Sequence, residues 1–132
     1  MVKLVEIFLI FVLSTTMSVA GGGGGGAVSN YLSLDPAFVV NISGDKQDYF
    51  LQVTSEVRLT SPELAETIKY HTPAIRHAMI MLLSGLKVED VRSLEGKESL
   101  RVEAVEVLQG LLEEVIDDPG IENIYFTSFI IQ

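Results

Sequence analysis

The chain has no cysteine, which excludes disulfide staples, thiolate catalysis and cysteine-based metal sites. Its 132 residues must therefore hold their fold by burial and hydrogen bonding alone. Basic residues are also scarce: nine Lys and Arg stand against eighteen Asp and Glu, a net charge of −9. Lys3 and Glu6 cancel within the first twenty residues, so the excess belongs to everything that follows. An acidic balance of this size argues against nucleic acid as a partner, because phosphate contacts need a basic face. It argues equally against electrostatic adhesion to anionic lipid. Catalytic signatures are missing too. No G-x-S-x-G turn occurs, and Gly21–Gly26 neither follow a strand nor end in Lys-Ser/Thr, so a phosphate-binding loop is excluded. His71 and His77 are six apart, roughly 600° around a helix with Pro73 between them, and form no paired ligand geometry. No catalytic residue, cofactor-binding residue or metal ligand is assigned.

One long apolar run is present, Leu4–Ala20, built on Leu4, Ile7, Phe8, Leu9, Ile10, Phe11, Val12 and Leu13 and closing at Ala20. As a helix its seventeen residues reach about 25 Å, slightly less than the ~30 Å hydrocarbon layer, a gap that tilt or local thinning accommodates. Lys3 and the amino terminus supply the flanking positive charge, which keeps the N-terminus in the cytoplasm and sends the rest outward. A cleavable signal peptide is the competing reading, with Ser18-Val19-Ala20 as a small-x-small site ahead of Gly21. Glu6 suits neither. Both readings export the remainder of the chain. Six consecutive glycines then have no side chains to pack and act as a flexible tether. The expected organisation is a membrane anchor or signal segment over 1–20, a glycine-rich linker over 21–34 and a folded domain over 35–132.

Within that domain, Asp35-Pro36 marks a turn. AFVVNIS at 37–43 reads as a strand, and YFLQVTSEVRL alternates with Tyr49, Leu51, Val53, Val57 and Leu59 on one face, so the two form a hairpin with one wet side. Ser61-Pro62-Glu63 and Thr72-Pro73 each open a helix, and the second carries an apolar stripe at Ile75, Ala78, Met79, Leu82 and Leu83. Ser93 is placed to cap a long amphipathic helix with Leu100, Ala104, Val107, Leu108, Leu111, Leu112 and Val115 on its inner side. Asp118-Pro119-Gly120 turns the chain into a final strand, IENIYFTSFIIQ. The order strand, strand, helices, strand predicts an α+β fold: a small antiparallel sheet with a helical layer on one face. Strict alternation puts Ile121, Tyr125, Phe129 and Ile131 on one side of the last strand and Ile124, Phe126 and Ile130 on the other. With helices on one face only, that pattern reserves the second side for a partner, and Tyr125, Phe126 and Phe129 are candidate assembly residues.

Two charged features join them. Arg76 lies in the first turn of its helix, where a cation opposes the helix dipole, so either a specific acid of the same domain holds it or it is a partner contact, the ion pair being the expected case. After Arg101 no basic residue occurs, and Glu113, Glu114, Asp117 and Asp118 crowd the C-terminal end of the long helix. They read either as a solvated face or as a docking edge for a basic patch.

Several short motifs occur in a fixed order: Tyr31-x-x-Leu34, Pro36-x-Phe38-Val39-Val40-Asn41, Pro73-x-Ile75-Arg76, Leu82-Leu83-Ser84, Glu89-Asp90-Val91 and Glu95-Gly96-Lys97-x-x-Leu100-Arg101. The chain closes on Ile124-Tyr125-Phe126-Thr127-x-Phe129-Ile130-Ile131-Gln132. Behind an N-terminal apolar segment, this order resembles the FliL family of flagellar basal-body proteins. The resemblance implies a single-pass protein of the bacterial inner membrane whose periplasmic domain is similar to the stomatin/prohibitin fold. It also implies association with MotA/MotB-type stator units and with copies of itself, including as a ring, no cofactor, no enzymatic activity, and a role in torque, swimming or swarming.

Overall fold

The computed structural model describes residues 29–132. The apolar segment Leu4–Ala20 and the hexaglycine lie outside the described residues. Three strands, four helices and a last strand follow in the order β1 (Tyr31–Ser33), β2 (Phe38–Ile42), β3 (Tyr49–Leu59), α1 (Ala65–Tyr70), α2 (Thr72–Ser84), α3 (Val88–Arg92), α4 (Leu94–Ile116) and β4 (Ile121–Ile131) among the described residues. A short 3-10 turn, Pro62–Leu64, precedes α1. The first described strand begins at Tyr31, inside the stretch read as linker, and Leu34 is fully buried.

All pairing in the sheet is antiparallel, and β3 is its centre. β2 and β1 pair in succession along one side of it, and β4 runs the length of the other. The β2–β3 hairpin follows from the alternation in YFLQVTSEVRL: Leu51, Val53, Val57 and Leu59 are buried, while Gln52 and Arg58 are exposed. The helices pack on the buried face, α2 over β2 and α4 over β4, and touch each other between. Ile75, Met79 and Leu83 of α2 and Leu100, Ala104, Leu108 and Leu112 of α4 close this core. The α4 stripe is narrower than its apolar content predicts, because Val107 and Val115 remain on the solvent flank.

The ends of α4 follow from their local chemistry. The Ser93 hydroxyl accepts the Gly96 N–H at 2.9 Å, which makes the expected N-cap. At the other end Asp117 adopts φ 56° and donates its N–H to the Glu113 carbonyl at 3.1 Å. Gly120, at φ 73°, is buried against Leu112, whose Cδ1 would lie 2.8 Å from any added Cβ. The glycine is required both by the backbone and by the contact.

β4 departs from the expected pattern. Arg58 faces Asn123 but Leu59 faces Ile121, and Thr54 faces Ser128 but Ser55 faces Phe126. Glu122 and Thr127 are thus the extra residues of two bulges, each advancing the strand by one position. Residues three apart across a bulge then share a face. Ile121, Ile124, Phe126, Phe129 and Ile131 all turn toward the helices, and the Phe126 and Phe129 rings meet at 5.8 Å between centroids. Two apolar residues of the strand, Tyr125 and Ile130, point to the open side. Strict alternation had divided this load between both faces, and the bulges gather it on one.

Candidate functional site

The long helix lies antiparallel to β4 and reaches over its edge with one flank. Gln109 donates from Nε2 to the Ile121 carbonyl at 2.9 Å. Arg101 donates to the Asn123 side-chain oxygen, which also accepts the Ile124 N–H at 2.9 Å. Toward the start of the helix, Lys97 Nζ lies 5.2 Å from the centre of the Phe129 ring. Here helix and strand diverge, leaving a groove of ≈ 410 Å³ lined by Leu94, Lys97, Glu98 and Arg101 of α4 and by Tyr125, Phe126 and Phe129 of β4. The helical residues fall at i, i+3, i+4 and i+7, a single flank. Glu98 and Arg101 are joined on its rim, with Nε to Oε2 at 2.8 Å. That hydrogen bond from Arg101 holds the Glu98 carboxyl below the usual carboxylate value, and the same bond raises the Arg101 guanidinium.

Three of the assembly candidates, Tyr125, Phe126 and Phe129, therefore meet at one groove. The sequence pattern had not assigned Leu94, Lys97 or Arg101, although their helical spacing places them on one flank. The other candidates lie elsewhere. Arg76 is held by no acid among the described residues, which corrects the expected pairing. Its Nη1 donates to the carbonyls of Leu34 at 2.8 Å and Pro36 at 2.6 Å, and its guanidinium covers the Phe38 ring at 4.3 Å. Two converging carbonyl oxygens supply the negative end that a carboxylate was expected to provide. Arg76 thus fastens α2 to the cis Asp35–Pro36 turn that joins β1 to β2.

The acidic end of α4 divides in two. Asp117 forms the left-handed C-cap, and Asp118 Oδ1 accepts the Gly120 N–H at 2.7 Å and the Thr60 hydroxyl at 3.3 Å. These two carboxylates shape a turn. Glu113 and Glu114 are exposed and make no ion pair among the described residues. On the uncovered face of the sheet, Val39 and Phe50 are 63% and 60% exposed, and the Tyr31 and Tyr125 rings lie 6.2 Å apart. Among the described residues no group of three His, Asp or Glu side chains is arranged to hold a metal ion. No helix among them is long and apolar enough to cross a membrane, α4 being amphipathic.

Residues 31–132 match the family described as flagellar basal body-associated protein FliL. The chain is also similar to the flagellar protein FliL of Aquifex aeolicus (strain VF5), at 28% identity over 99 residues. That similarity covers 75% of this chain and 59% of the relative, so the chain spans somewhat under two thirds of the relative's length. The matched span takes in every strand and helix described above, from Tyr31 to the last residue. The chain belongs to the FliL family of flagellar basal body-associated proteins.

Proposed function

We propose that this protein is a non-enzymatic accessory subunit of the flagellar motor that associates with the stator and supports torque during swimming or swarming. In this reading Leu4–Ala20 anchors it in the inner membrane with the N-terminus inside. The hexaglycine lets the folded domain move relative to that anchor on the periplasmic side, where copies of the domain assemble with one another. The observation that carries the reading is the family match across the whole folded domain. Support comes from the apolar segment ahead of it and from an exposed sheet face bearing Val39, Phe50, Tyr31 and Tyr125. A deletion strain complemented with a fluorescent fusion tests it. Loss of swarming or of swimming in viscous medium, with fluorescent foci that coincide with motors and depend on the stator genes, is expected. Normal motility in the deletion strain, or foci that ignore the stator, would reject the reading.

A second reading has one observation in its favour, the small-x-small Ser18-Val19-Ala20 ahead of Gly21. It makes the domain a cleaved periplasmic or secreted binding module. Mass spectrometry of the mature N-terminus separates the two: a chain starting at Gly21 has lost the anchor, and an intact start in the membrane fraction has kept it.

A further inference from the structure

A strand at the edge of a sheet presents unpaired N–H and C=O groups, and among the described strands β4 pairs with β3 alone. Its protection is uneven. From Ile121 to Ile124 the outer side is occupied by Gln109, by Arg101 and by the Asn123 side chain. Beyond the bulge at Thr127 no side chain of α4 hydrogen-bonds to β4 among the described residues, although Lys97 covers the Phe129 ring. Phe50 and Gln132 exchange both backbone hydrogen bonds at 2.9 Å, so they form a hydrogen-bonded pair. By the alternation of an antiparallel ladder, Ile131 and Phe129 then turn their N–H and C=O groups outward. The open part of the edge is also the part beside the groove. At its mouth Leu94 is 83% exposed, the most exposed of the large apolar side chains among the described residues.

We propose that the open half of the β4 edge and the overhanging flank of α4 form a binding groove for an extended segment of a partner protein. The segment adds to the sheet beside Phe129 and Ile131, sets an apolar side chain against Leu94, Phe126 and Phe129, and brings a carboxylate to Lys97. Strand addition supplies the backbone hydrogen bonds, and alternate side chains of the segment rise toward the helix. Charge selects the occupant. Lys97 makes no ion pair among the described residues, while its neighbour Arg101 is already engaged by Glu98. An acid on the segment is the complement the groove lacks. A second copy of this chain is disfavoured as occupant, because each copy carries −9 and the bulges leave only a short stretch of regular edge. This inference concerns peptide recognition and does not depend on the stator assignment, since its test needs no motor.

The test uses the full chain, isotope-labelled in detergent micelles, and a randomised peptide library displayed on phage. Enriched sequences are synthesised and titrated while backbone amide shifts are followed. Peptides that alternate apolar and acidic residues are expected, with the largest shifts at Phe129, Ile131 and Lys97. Methylating two backbone nitrogens of a peptide on its strand-facing side should weaken binding roughly tenfold, the loss of two hydrogen bonds. Lys97→Glu should weaken acid-bearing peptides roughly fivefold or more, and Leu94→Asp, at an exposed position, should abolish binding without unfolding the domain. No enrichment over empty micelles, shifts that map to another surface, or indifference to backbone methylation would overturn the proposal. Concentration-dependent shifts at Phe129 and Ile131 without peptide would also overturn it, by assigning the edge to a second copy.

Discussion

Among the described residues Arg76 is the only side chain that ties α2 to the turn between β1 and β2 through hydrogen bonds, and the size of the loss on replacing it with alanine can be worked out. The bond to the Leu34 carbonyl is partly buried, and a hydrogen bond from a charged donor in such a place contributes about 1.5–3 kcal/mol. The bond to Pro36 is exposed, so water replaces most of it and about 0.5 kcal/mol remains. The guanidinium over Phe38 adds about 0.5–1 kcal/mol. Because the three contacts share one side chain they are not fully additive, and a total of about 2–4 kcal/mol follows. For a domain of this length each kcal/mol lowers Tm by roughly 4–8 °C, so a fall of roughly 10–25 °C is expected by circular dichroism or calorimetry. Arg76→Lys keeps the charge and one carbonyl contact and should lose about 1 kcal/mol. Two observations would refute this reasoning. One is a Tm within a couple of degrees of the parent for Arg76→Ala. The other is an unchanged Tm with assembly in the membrane abolished, which would make Arg76 a partner contact instead.

Four further outcomes test other parts of the structure. A Cβ at Gly96 would overlap the Asp90 carbonyl oxygen where α3 meets α4, so Gly96→Ala should destabilise by about 1–3 kcal/mol in urea unfolding. Gly110 has open space around its Cβ position on the same helix, and Gly110→Ala should instead stabilise by about 0.5–1 kcal/mol. The Ser55 hydroxyl is buried on the inner face of β3 with no hydrogen-bond partner among the described residues, so Ser55→Ala is expected to leave stability unchanged or raise it by up to ~1 kcal/mol. The Glu98 carboxyl is depressed in the folded state by Arg101, so its contribution is present above its unfolded value and is lost as pH falls through the folded one. An NMR titration should find Glu98 below the ordinary glutamate value, and Arg101→Gln should return it there.

The fold class was legible because two periodicities were clean. YFLQVTSEVRL repeats every two residues, and the stretch from Leu100 to Leu112 returns an apolar residue every four, so a half-buried strand and an amphipathic helix were fixed before any contact was known. Ser93 was legible for a local reason, a capping hydroxyl just ahead of the helix. Val107 and Val115 were misplaced because a single sheet under α4 covers a narrow arc, and helix periodicity alone does not say how wide that arc is. The partner of Arg76 was not legible at all. The carbonyls of Leu34 and Pro36 are forty-two and forty positions away, and an oxygen of the backbone leaves no mark in the residue types.

The last strand teaches the same point from the other side. Its composition, apolar at Ile121, Ile124, Tyr125, Phe126, Phe129, Ile130 and Ile131, implies two greasy faces only if the strand is regular. Two bulges change the phase twice, and each does so next to polar residues, Glu122 and Thr127, that suit an unpaired position. The consequence reaches function. Had the alternation run strictly from the buried Ile121, Tyr125 would have turned inward with Phe129, and Ile124 and Phe126 would have faced a partner on the open side. With the phase shifted between the two bulges, Phe126 joins Phe129 under α4 and Tyr125 stays out, so the three rings surround the strand's edge rather than cover its face. An edge recognises backbone as well as side chains, and it can therefore select an extended segment where a flat apolar face would select only another apolar face. The same irregularity that hid the arrangement from a reading of the sequence brings Phe126 beside Phe129 at the regular end of the β4 edge.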